Sequence, residues 1–171
     1  MSTVEQQSLK DYLAAKRAER AGKRATRMVI PVVGYEERFA GRYKILEFDE
    51  KRDIQSRHDS IGEVGNDGAA LVNASADFII NACVDLLEIT GKDEAGKSTY
   101  QQLGKRWMAP DIADLFGVQI TPQTTAREAL KMVLDPDQIM EHFGAITTAA
   151  DAIMAEVSVE GQGEAQPSVE G

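Results

Sequence analysis

AALVNASADFIINACVDLLEI, residues 69–89, is the segment on which the fold turns. Leu71, Ala74, Phe78, Ala82 and Leu86 recur every three or four residues, and Ile79, Cys83 and Leu87 widen the same face. Asp77, Asn81, Asp85 and Glu88 supply polarity between them. The pattern predicts a single core helix from Ala69 to Ile89, about 30 Å long. Its interspersed polar positions argue against a membrane span.

Upstream of this helix the periodicity changes. Met28 to Val33 is an apolar run containing Pro31, which cannot donate to a ladder, so the run reads as an edge strand. Gly34 marks a turn, and Phe39 to Phe48 supplies a second strand with Phe39, Gly41, Tyr43 and Ile45 on one face. Two strands are marginal alone, so the hairpin needs a helical cover or a partner's strand. Asp49 is a candidate N-cap for a polar helix from Glu50 to His58, and Gly62, Gly65 and the NDG turn at Asn66–Gly68 form a loop. Ser8, with Asp11 after it, is set to cap a leading helix rich in alanine and poor in large anchors.

Downstream, RWMAPDIADLFGV reads as a short helix anchored by Trp107, Ile112, Leu115 and Phe116, starting near Pro110 and stopping at Gly117. Trp107 serves packing if buried and binding if exposed. Thr125 and Glu128 have capping-box spacing. Asp135, Pro136 and Gln138 mark a second helix start. The fold class expected is α+β: a small N-terminal β-hairpin packed against a mostly helical domain. Its divisions are a basic helical arm over 1–26, one domain over 27–155 and a disordered acidic tail over 156–171.

Composition sets limits on function. The 171 residues are 43% hydrophobic and only 6% aromatic, with 28 acidic and 19 basic side chains giving a net charge of -9. The charge is uneven: positions 10–27 carry seven Lys or Arg against two acids, and 156–171 carry four Glu and no base. A strongly acidic chain repels a phosphate backbone overall, which disfavours nucleic acid as a partner despite the basic arm. Cys83 has no disulfide partner, no run reaches the roughly 18–20 apolar residues of a bilayer span, and no leader signature opens the chain. These features read as a soluble intracellular protein.

One motif matches a phosphate loop on paper. GKDEAGKS, with Gly91, Gly96, Lys97 and Ser98, fits GxxxxGK[ST], but such a loop follows a strand and opens a helix. Here it follows an expected helix, and Asp93 and Glu94 place carboxylates inside an anion cradle, so a polar surface loop is the better reading. His58 beside Asp59 invites a dyad, yet neighbours on a helix do not face each other. His142 lacks HExxH spacing and reads as surface or partly buried, and Cys83 reads as a core thiol. Asp49, Glu50, Asp53 and Asp59 are interspersed with Lys51, Arg52 and Arg57, the pattern of a solvated, salt-bridged segment. No catalytic, cofactor-binding or metal-ligating residue is assigned.

The order of a basic lead helix, IPVVGYEERFAGRYKILEFDE, NASADFIINACVDLLEI, two capped helices and an acidic tail resembles the small tail assembly chaperones of long-tailed, siphovirus-like actinobacteriophages. The similarity runs from Ser8 to Met154. It implies a non-enzymatic factor that binds the tape-measure protein and keeps it soluble while the tail assembles. It also implies residence in the host cytoplasm and absence from the mature virion, with the tail-tube protein and self-association as further partner candidates. Candidate protein-binding residues are Val29, Val32, Val33, Phe39, Tyr43 and Ile45 on the hairpin, and Trp107 and Phe116 beyond it. Two other readings stay open: a structural head-tail connector or tail-completion protein, and a small nucleic-acid-binding regulator using Lys16, Arg17, Arg20, Lys23 and Arg24.

Overall fold

The computed structural model describes residues 8–58, 67–107 and 109–163, with the side chains of 67 and 156–163 left aside. The elements are α1 (Leu9–Arg24), β1 (Arg27–Pro31), β2 (Phe39–Lys44), α2 (Phe48–Ser56), α3 (Asp67–Ala82), β3 (Cys83–Lys92), β4 (Ser98–Gln102), α4 (Pro110–Leu115), α5 (Ala126–Val133) and α6 (Pro136–Gly163). The fold is α+β, with an N-terminal helix, a small antiparallel sheet and a mostly helical C-terminal region. The strands follow in the order β1-β2-β3-β4, every neighbouring pair antiparallel. α2 and α3 are inserted between the two central strands.

The principal correction falls on residues 69–89. The helix ends at Ala82, and Cys83 begins a ten-residue strand. Leu86 and Leu87 are successive and both fully buried, as are their partners' positions at Gly41 and Ala40, so the sheet is covered on both faces at this point. A strand buried on both faces loses its polar alternation. Its apolar residues then extend the three-to-four-residue spacing of the preceding helix by coincidence. The expected two-stranded hairpin is therefore half of a four-stranded sheet. Val84, exposed, is skipped in the pairing of Tyr43 with Cys83 and Arg42 with Asp85, which makes it a bulge residue.

Other boundaries shift for local reasons. The second strand stops at Lys44 rather than Phe48, because Glu47 and Glu50 form a reciprocal capping box that starts α2 at Phe48; Asp49 is inside the helix, not its cap. Gly62, Gly65 and Asn66 lie outside the described residues, and Gly68 belongs to the first turn of α3. α6 runs to Gly163, past the Glu156 at which the acidic tail was expected to begin, and 164–171 lie outside the description. The edge strand with Pro31, the Ser8 cap, the Thr125–Glu128 box and the Asp135–Gln138 pair all form as read.

The core lies between one face of the sheet and the C-terminal helices. α6 packs on α3, α1 and β1, and α3 also meets α2 and α5. Val32, Tyr43, Leu46, Ile79, Leu86, Ile112, Leu130, Leu134, Ile139 and Ile146 are fully buried within it. None of the described helices is long and apolar enough to cross a membrane.

Candidate functional site

The turn between β1 and β2 is built around Gly34, whose φ of 91° belongs to the left-handed region glycine tolerates. A Cβ there would strike the Gln138 amide, which donates to the Val33 carbonyl at 3.1 Å. The turn thus rests against the start of α6. It projects Tyr35, whose hydroxyl donates to the Val133 carbonyl at 3.3 Å, fixing the ring over the end of α5. Opposite, α4 begins with Pro110 in its first turn and ends before Gly117, at φ 71°, leaving Leu115 and Phe116 at its tip.

Between these two tips runs an open groove of about 800 Å³, with Tyr35, Phe39, Leu103, Leu115 and Phe116 as its apolar lining. In a chain only 6% aromatic, four rings meet here edge to face or tilted. Their centroids are 5.1 Å apart for Tyr35–Phe116, 5.4 Å for Phe39–Phe116, 5.7 Å for Phe39–Trp107 and 6.3 Å for Trp107–Phe116. Edge-to-face pairs of this kind contribute about 0.5–1.5 kcal/mol each beyond the area they bury. Leu115 is 66% exposed, an apolar side chain with no cover among the described residues. Glu36, Glu37, Arg38 and Glu88 supply the polar lining, with Arg38 paired to Glu88 at 3.4 Å. The backbone N–H of Gly34 donates to Glu36 at 2.8 Å and holds that carboxyl below its usual range. The rim is net acidic.

Beneath the groove, Trp107 is 3% exposed and donates from Nε1 to the Tyr43 hydroxyl at 3.1 Å. Tyr43 lies 2.6 Å from Nε2 of His142. An indole nitrogen only donates, so the Tyr43 oxygen accepts from Trp107 and shares a second bond with Nε2 of His142. Nδ1 of His142 is buried with no hydrogen-bonding partner among the described residues. Burial holds the His142 pKa down at about 4 and pushes that of Tyr43 well above the usual phenol. His142 is thus a fully buried neutral imidazole, not the surface or partly buried residue expected.

A second buried polar cluster ties three helices. His58 donates from Nε2 to Asp77 at 2.8 Å, and Arg127 grips the same carboxylate with bonds of 3.0 and 2.7 Å. Burial works against the Asp77 charge, but the bonds from Arg127 and His58 outweigh it and hold the carboxyl below the usual carboxylate range. The partner of His58 is thus Asp77 on α3; Asp59 lies outside the described residues. Every group here is occupied by another. Among the described residues no three His, Cys, Asp or Glu gather as a metal site. Cys83 is buried and its thiol is pushed up to about 11, as a core thiol.

The GKDEAGKS stretch is the β3–β4 hairpin. The Asp93 carboxylate accepts from the backbone N–H groups of Ala95 and Lys97, both at 2.9 Å, and Gly96 takes φ 80°. The N–H groups a phosphate would need are turned onto the chain's own carboxylate, and a strand follows rather than a helix.

The sequence-derived binding residues therefore divide. Val32, Tyr43, Ile45 and Trp107 are in the core and present no surface to a partner. Val29 and Val33 are half-buried, and Phe39 and Phe116 line the groove. Tyr35, Leu103 and the acidic rim were missed, while Leu115 belongs to the Trp107–Phe116 anchor segment already singled out. The sequence signal at the two tips is that Tyr35 follows a turn glycine and Leu115–Phe116 precede one. No family model, curated protein or solved structure matches the chain.

Proposed function

We propose that this protein is a non-enzymatic tail assembly chaperone of the kind found in long-tailed actinobacteriophages, binding the tape-measure protein and keeping it soluble during tail assembly. The observation that supports this reading is the groove of Tyr35, Phe39, Leu103, Leu115 and Phe116, aromatic, apolar and open. Clustered aromatic anchors with a polar rim are the usual composition of protein-binding hot spots. An open groove of this kind takes the apolar face of an amphipathic helix, and the acidic rim selects a helix with Lys or Arg flanking that face. A long helical tape-measure protein supplies such segments.

The test is co-expression with the tape-measure protein, reading its soluble fraction and its recovery with the tagged chaperone. Wild type is expected to raise both, and Leu115→Glu to lose both while staying folded. Equal solubilisation by the two forms contradicts the groove as the binding site. Failure of wild type, together with retention of the protein in purified particles, replaces the chaperone with a structural tail component.

A further inference from the structure

Two exposed apolar surfaces of the chain carry flanking charges of opposite sign. On α1, Leu9, Tyr12 and Leu13 share one helix face by their spacing and are 71%, 44% and 55% exposed. Lys16 and Arg20 continue that face toward the C-terminus. Between Leu9 and Arg24, six Lys or Arg stand against Asp11 and Glu19. α1 packs on α6, yet no residue of α1 is buried. The large apolar side chains of this helix are exposed rather than packed against the chain's own core.

The groove offers the complement: an aromatic floor without cover among the described residues, rimmed by Glu36, Glu37 and Glu88 against Arg38. We infer that α1 of one molecule seats Leu9, Tyr12 and Leu13 in the aromatic groove of a second copy of this chain, its basic residues lying over the acidic rim. Within its own chain α1 is held on α6, Arg24 pairs with Glu47 at 3.4 Å, and Lys16 pairs with Glu19 at 3.5 Å and lies 5.9 Å from the Tyr12 ring centroid, while Leu9 and Leu13 remain more than half exposed. Stripe and groove are different patches, so the contact is heterologous: each copy uses one and offers the other, and assembly extends until a ring closes. The seated α1 occupies the place proposed above for the tape-measure helix, so the two compete.

Sedimentation velocity of the full chain, alone and as Leu13→Glu or Leu115→Glu, tests this. Both positions are more than half exposed, so both variants should match the wild-type circular dichroism. Wild type is expected to associate with rising concentration, less so in high salt, and each variant to weaken association at least tenfold. An equimolar mixture of the two variants should form a heterodimer and nothing larger, because one keeps its groove and the other its stripe. A wild type that stays monomeric, or a mixture that stays monomeric while wild type associates, overturns the inference. Tape-measure capture by Leu13→Glu reads the proposed function separately: a monomeric wild type that captures its partner sinks only self-association, and an associating wild type that does not sinks only the chaperone reading.

Discussion

Tyr43 shows how a single side chain joins the sheet to the helices. Gly41 makes room for it, since a Cβ there would fall on the Tyr43 ring, and the ring then carries a hydroxyl into the core between Trp107 and His142. Removing that oxygen leaves a buried indole N–H and a buried imidazole nitrogen unpaired. Tyr43→Phe should cost about 2–6 kcal/mol in urea unfolding, at ~1–3 kcal/mol for each of the two orphaned groups; a loss under about 0.5 kcal/mol would contradict the bonding. His142 gives the fold a pH dependence. Its pKa falls from 6.5 to about 4 on folding, so between those values the unfolded chain binds a proton that the folded chain refuses. Stability should therefore fall as pH drops from about 6.5 to about 4, by no more than about 3 kcal/mol, and this contribution should level off below. Urea denaturation across that window checks it, and a His142→Gln variant should lack this component of the slope. Val32 and Tyr43, the residues the hairpin pattern offers for binding, are core residues, so truncating them reports on stability instead.

At the scale of elements, the legible parts are those with local chemistry. Ser8, Thr125 and Asp135 cap helices through bonds within three residues, and Pro31 confines β1 to an edge by lacking an N–H. β3 was not legible, because its conformation is decided by β2 partners 40 or more residues earlier in the chain, from Tyr43–Cys83 to Phe39–Glu88. Tertiary pairing there overrides the helix period that Ala82, Leu86, Cys83 and Leu87 continue. The β3–β4 turn is held by Asp93, whose carboxylate satisfies two backbone N–H groups. Asp93→Ala should cost about 1–3 kcal/mol in thermal or urea unfolding. Lys97→Ala should leave stability nearly unchanged and give no change in titrations with magnesium ATP. A phosphate loop would reverse that pattern, binding nucleotide in wild type and losing it at Lys97→Ala.

At the scale of the whole molecule, the groove belongs to no single element. The β1–β2 turn, the body of the sheet and the tip of α4 each contribute, and each rests on core contacts that the sequence does not pair in advance: Tyr35 on Val133, Phe39 and Phe116 on Trp107. Phe39 and Phe116 were recognisable as candidates by residue type, and Leu115, legible as an anchor of the short helix, is placed at the groove rather than in the core by its exposure. Leu115→Glu should change stability by less than about 0.5 kcal/mol, as exposed positions do, and remove partner capture. Hydrogen–deuterium exchange of the protein with and without bound tape-measure fragment tests the groove most directly. Binding should slow exchange at the amides of 34–39 and 115–117. Protection confined to β4 or to the β3–β4 turn, with those two segments unchanged, would contradict the assignment of the groove as the partner site.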